Sequence, residues 1–143
     1  MKNAKTQTND TNADAEVQNA FSDGLREELA GYAQRAARRY EKAKAEFLER
    51  LATNPADAIT WVGEDMAMAQ GDHEVWMQVA AELEQHDPRE VLRETIKDVR
   101  NRIRRFFGGS STSQFRNAVE RAKAEGHARL ADELDNIAAH FGL

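Results

Sequence analysis

The chain has 143 residues, 25 acidic and 20 basic side chains, a net charge of -5 and no cysteine, which excludes a disulfide framework and thiolate chemistry. The length is that of one ordinary domain. Hydrophobic residues make up 41%, but 24 of them are alanine, so the core is thin, because stabilisation scales with the apolar area taken out of water.

Residues 1–18 are Asn, Thr, Gln, Asp and Ala with almost nothing apolar. Such a stretch does not repay the entropy of ordering and is expected to be a disordered tail ahead of a single helical domain over 19–143. It has no apolar stretch of signal-peptide type, and no window reaches transmembrane length, so a cytoplasmic protein is expected.

Ser22 is a good N-cap for a long amphipathic helix carrying Leu25, Leu29, Tyr32, Ala36, Tyr40, Ala43, Phe47 and Leu51, until Asn54-Pro55 interrupts the pattern. The mean spacing is about 3.7 residues, that of a straight helix. A second helix with Ile59, Val62, Met66 and Ala69 is expected to end at Gly71 as a C-cap, and Asp72 to cap a third with Trp76, Val79, Ala80 and Leu83. At Asp87-Pro88-Arg89-Glu90, a capping residue, a proline in the first helical position and an acid three residues after the cap coincide. The helix that starts there has a seam of Leu92, Ile96, Val99, Ile103 and Phe106 and runs to about Phe107.

The Gly/Ser segment 108–113 reads as a flexible linker. Beyond it, a helical hairpin over 114–143 is expected, with Phe115, Val119 and Ala122 facing Leu130, Leu134, Ile137 and Phe141 across a turn at Gly126. No segment alternates with period two for long enough to be a strand. The expected fold is therefore all-α: a compact bundle of five to six helices, with a long N-terminal helix and a docked C-terminal hairpin. The segment AKAEGHARLADEL, 122–134, resembles the short helical hairpins found ahead of some bacterial AAA-type ATPase modules. No nucleotide motif accompanies it, and it identifies no family.

Signals for catalysis are sparse. His73, His86, His127 and His140 form no His-Glu-x-x-His pair. Adjacent acids such as Glu64-Asp65 read as a solvated helix face, and the run from Gly108 to Ser113 lacks the Lys-Ser/Thr ending of a phosphate loop. No catalytic residue, metal ligand, cofactor or small-molecule substrate is assigned, and the chain is not expected to be an enzyme.

Charge is segregated. Residues 54–87 hold eight acids and no base, whereas 88–107 hold seven bases and three acids. On the helix over 88–107, Arg89, Arg93, Lys97, Arg100 and Arg104 project between roughly 60° and 140° from the apolar seam. They form one basic stripe able to meet an acidic partner or phosphates, unless the acidic segment covers it. Full phosphate engagement of five cations would give a logarithmic salt slope of about -4 to -5. The net negative charge of the chain opposes nucleic acid at long range. Trp61, beside Val62 and off the main seam, is a candidate apolar anchor for a partner.

These features point to a non-catalytic protein-interaction or regulatory protein, such as a small bacterial accessory factor, with a protein partner or self-association. One alternative is a nucleic-acid-associated protein that uses the stripe. Another is an acidic-surface mimic, in which Asp57 to Asp87 imitate a phosphate array and block a basic protein.

Overall fold

The computed structural model describes residues 7–108 and 114–143, and no strand occurs among them. Four long helices, α1 (Gln7–Thr53), α3 (Gly63–Leu83), α4 (Pro88–Gly108) and α5 (Gln114–His140), make the bundle. A single turn, α2 (Pro55–Asp57), and a π-helical segment (Ala58–Val62) join α1 to α3. Residues 1–6 of the expected tail and 109–113 of the expected linker lie outside the described residues.

The expected tail is helical from Gln7, and Ser22 lies inside α1 rather than capping it. Leu25 and Leu29 are fully buried and dock this end of α1. From that anchor, adding N-terminal residues is helix propagation, which escapes the cost of nucleation. Residues 11–20 are exposed, and near the base of this arm Gln18 accepts a 2.6 Å hydrogen bond from Arg89.

The break at Asn54-Pro55 forms as the sequence indicates. Asn54 caps the turn, its side chain accepting from the Asp57 backbone N–H at 3.3 Å. Asp87-Pro88 likewise starts α4, with the Arg89 backbone N–H donating to the Asp87 carboxylate at 2.9 Å.

Two expected boundaries are absent, and the bundle accordingly has fewer helices than expected. Gly71 and Asp72 lie within α3, and Gly126 within α5, so α3 merges two expected helices and α5 replaces the hairpin. Both glycines mark the crossing of these two helices. A Cβ on Gly71 would stand 3.4 Å from His127 Nε2, and one on Gly126 would stand 3.3 Å from Asp72 Oδ1 and 3.5 Å from the Met68 backbone. Glycine weakens a helix interior by about 1 kcal/mol relative to alanine. Here it lets two backbones approach closely while keeping helical torsions, and among the described residues only Gly142 has a positive φ, 69°.

The main packing pairs are α1 with α3, α3 with α5, and α4 with α5. Leu25, Leu29, Trp76, Val79, Leu92, Val99, Leu130 and Leu134 form the centre of the core. Tyr32 of α1 stacks on Trp76 of α3 with ring centroids 5.4 Å apart, and Tyr40 stacks on His73 at 4.8 Å, so the two helices run antiparallel.

Candidate functional site

The five stripe cations lie on α4, and they do not share one fate. Arg89 turns back to α1: its guanidinium lies 4.4 Å from the centre of the Phe21 ring and donates to Gln18. Arg100 reaches α5 and grips both carboxylate oxygens of Asp135, at 2.9 and 3.0 Å. Lys97 pairs with Glu94 on its own helix at 3.5 Å, with both side chains about two-thirds exposed, a contact worth a few tenths of a kcal/mol. Arg93 and Arg104 are exposed.

The acidic segment does not cover the stripe. α4 turns its acidic flank toward α3, and a cleft of about 320 Å³ between them is lined by Glu82 of α3 and by Glu94, Thr95 and Asp98 of α4. Asp98 is satisfied by Arg102 at 2.8 Å. The acids from Asp57 to Asp87 have other duties: Asp57 bonds Asn54, Glu74 approaches Lys123 at 3.9 Å, Asp87 caps α4, and Asp72 enters the α3–α5 crossing.

At that crossing the chemistry is unusual for so small a bundle. Burial pushes the Asp72 carboxyl up to about 6; Arg39 opposes the rise, Glu133 adds to it, and Arg129 opposes it. Burial likewise raises Glu133, against Arg39 and Arg35. His127 is lowered by burial and then by the charge of Arg102. Asp72 Oδ1 and His127 Nε2 have no hydrogen-bond partner among the described residues, in keeping with a desolvated crossing that disfavours both charged forms. Among the described residues no group of three or more acidic or histidine side chains is placed to hold a metal ion.

Trp61 sits in the π-helical segment and is 72% exposed. π-Helical insertions are rare and concentrate at functional sites. The wider turn rotates Trp61 and Ile59 outward while Ala58 stays buried.

Sequence reasoning missed an apolar concavity. It is a groove of about 600 Å³ between α1 and α3. Ala30, Ala33 and Ala37 form the α1 wall; Trp76, Met77 and Ala80 form the α3 wall; Arg26 and Glu84 lie at its margin. Met77, on the α3 wall, is 59% exposed. The sequence carried a signal, since Ala30, Ala33 and Ala37 repeat at spacings of three and four beside the core seam. Alanine, however, suits a solvated helix face as well as a contact face.

No protein-family model, no curated protein and no solved structure matches the chain. No described helix is long and apolar enough to cross a membrane.

Proposed function

We propose that this is a non-catalytic interaction or regulatory protein that binds another protein chain along the outer face of α1 and α3. The observation that carries the reading is the open groove of about 600 Å³, walled by alanines and by the exposed Met77. Two antiparallel helices with an alanine-lined wall on α1 and an exposed methionine on α3 make a seat for a third helix, the helix-in-groove mode of recognition. Neither the groove nor the acidic cleft is lined by Asp72, Glu133 or His127, and no chemistry is assigned to these groups.

A photocrosslinking amino acid placed at Met77 in living cells tests this reading. The expected result is a discrete protein adduct at Met77 and none from the same probe at Asp132, an exposed position on α5. Absence of any protein adduct at Met77 overturns the proposal.

A second reading is favoured by the uncovered stripe. With Arg93 and Arg104 exposed and the acidic flank of α4 turned away, this part of the stripe is open to phosphates. Anisotropy with labelled duplex DNA, single-stranded DNA and RNA at about 50 and 200 mM salt decides it, because phosphate-driven binding falls by orders of magnitude over that range. Binding that survives replacement of Arg93, Lys97, Arg100 and Arg104 by glutamine removes the stripe from consideration.

A further inference from the structure

The groove accounts for only half of one continuous helix face. Ala30, Ala33, Ala37, Glu41, Lys44, Leu48 and Leu51 follow one another on α1 at spacings of three and four, and at 100° per residue all fall within an arc of about 80°. The first three line the groove. Glu41 and Lys44 are exposed. Leu48 and Leu51 follow near the far end of α1, and they are 54% and 38% exposed. The face thus has a small-residue half backed by α3, a charged centre, and a large-residue half that projects.

These halves are complementary to each other, but one rigid helix cannot fold its own end into its own groove. We infer that the occupant of the groove is a second copy of this chain, with the two α1 helices packed antiparallel about a two-fold axis that passes between residues 42 and 43. This inference rests on the reading of the groove as a protein-binding face and names its partner. In that register Leu48 of one copy lies opposite Ala37 of the other, Leu51 lies opposite Gln34 beside Ala33, and Glu41 lies opposite Lys44. Large side chains meet small ones, opposite charges meet, and the symmetry makes every contact twice and covers the Ala33 and Ala37 end of both grooves at once. The contact from residue 34 to residue 51 runs about 27 Å along each helix. A register shifted by one turn in one direction would set Leu48 against Glu41, and a shift the other way would part Glu41 from Lys44 and set Lys44 against Ala37, so the central charges fix the alignment.

Sedimentation velocity on the full chain, from about 1 to 200 µM, should show a reversible monomer–dimer equilibrium. Glu41→Lys alone sets lysine against the other copy's Lys44 at two symmetric places, and Lys44→Glu alone sets glutamate against Glu41. Each should weaken the dimer by about tenfold or more, since both exposed pairs change from attraction to repulsion. An equimolar mixture of these two single variants should regain the dimer as a heterodimer, because its lysines then face glutamates at both places. Leu48→Glu should also weaken the dimer, and all three variants should keep the helical circular dichroism of the parent, since each change is on an exposed side chain.

A strictly monomeric parent overturns the inference. So does a dimer indifferent to Leu48→Glu and to both charge reversals, or a mixture that fails to recover association. The Met77 crosslink separates this inference from the reading beneath it. An adduct of twice the chain mass supports both. An adduct with a different protein from a monomeric parent overturns the second copy and leaves the groove a binding face, and no adduct of any kind overturns both.

Discussion

Small residues punctuate two surfaces of α3, which meet different ends. On one, Gly71 faces α5, whose own Gly126 returns the contact, and the helices close until a Cβ on either glycine would touch the opposite chain. On the other, Ala80 and Met77 stand with Ala30, Ala33 and Ala37 of α1 around an open groove. Small residues permit close approach of helices; they do not supply the partner. At the crossing the same chain supplies it, and α5 buries His127 and desolvates Asp72 in doing so. At the groove no described segment does, so apolar area that could leave water stays in it.

The largest effect that tests this contrast is a pair of overpacking substitutions. Gly126→Leu should destabilise the fold by about 3 kcal/mol, because the added side chain meets the Met68 backbone and cannot be accommodated without parting α3 from α5. Ala33→Leu should change stability by less than about 1 kcal/mol, since the groove has room for it. Urea unfolding measures both, and equal costs would erase the distinction between a filled and an open face.

Next in size is the proton dependence of the crossing. The folded Asp72 carboxyl titrates at about 6 against a reference of 3.8, so the folded state holds its proton more tightly than the unfolded chain. The contribution to stability is therefore complete below the reference value and is lost as pH rises through about 6. Asp72→Asn should stabilise the protein by about 2 kcal/mol near pH 7.5 and leave it unchanged near pH 3.5. Denaturation curves at the two pH values check this, and an equal effect at both would mean that desolvation of the carboxylate is not the cause.

His127 works in the opposite direction. Its folded proton affinity is depressed, so its contribution is present above the reference value of 6.5 and is lost as pH falls through the depressed folded value. In the Asp72→Asn background, where one of the two opposing carboxyls is gone and Glu133 remains, stability should decline more on acidification below pH 6.5 than in the parent. Replacing His127 by Gln in that background should flatten the decline.

The smallest expected effect concerns the α4–α5 seam. The Arg100–Asp135 pair is bidentate but about half exposed on both sides. Arg100→Gln should cost about 0.5 kcal/mol at low salt and less at high salt. A larger cost would place this tie with the crossing rather than with the solvated surface.

Much of this architecture is legible in local sequence. Asp87-Pro88 starts α4 because a side-chain acceptor and a proline act within one turn, and the Leu92-Ile96-Val99 seam is buried or half-buried because period and polarity agree. Gly71 and Gly126 were not legible, since a glycine that ends a helix and one that admits a neighbouring helix look alike in sequence. The angular position of the basic stripe was readable, but its exposure depended on which flank α4 turned toward α3. The groove was readable only as spaced alanines.

By itself, then, the sequence determined the helical class, the breaks at Asn54-Pro55 and Asp87-Pro88, and the placing of five cations on one side of a helix. All of these follow from interactions within a few residues. Only the tertiary structure decided that Gly71 and Gly126 continue their helices, that Asp72 gives up full solvation, that Arg93 and Arg104 stay open while Arg89 and Arg100 are engaged, and that no described segment covers the outer face of α1 and α3. Each of those depends on contacts between residues far apart in the chain, whose free energy is not encoded in any one segment.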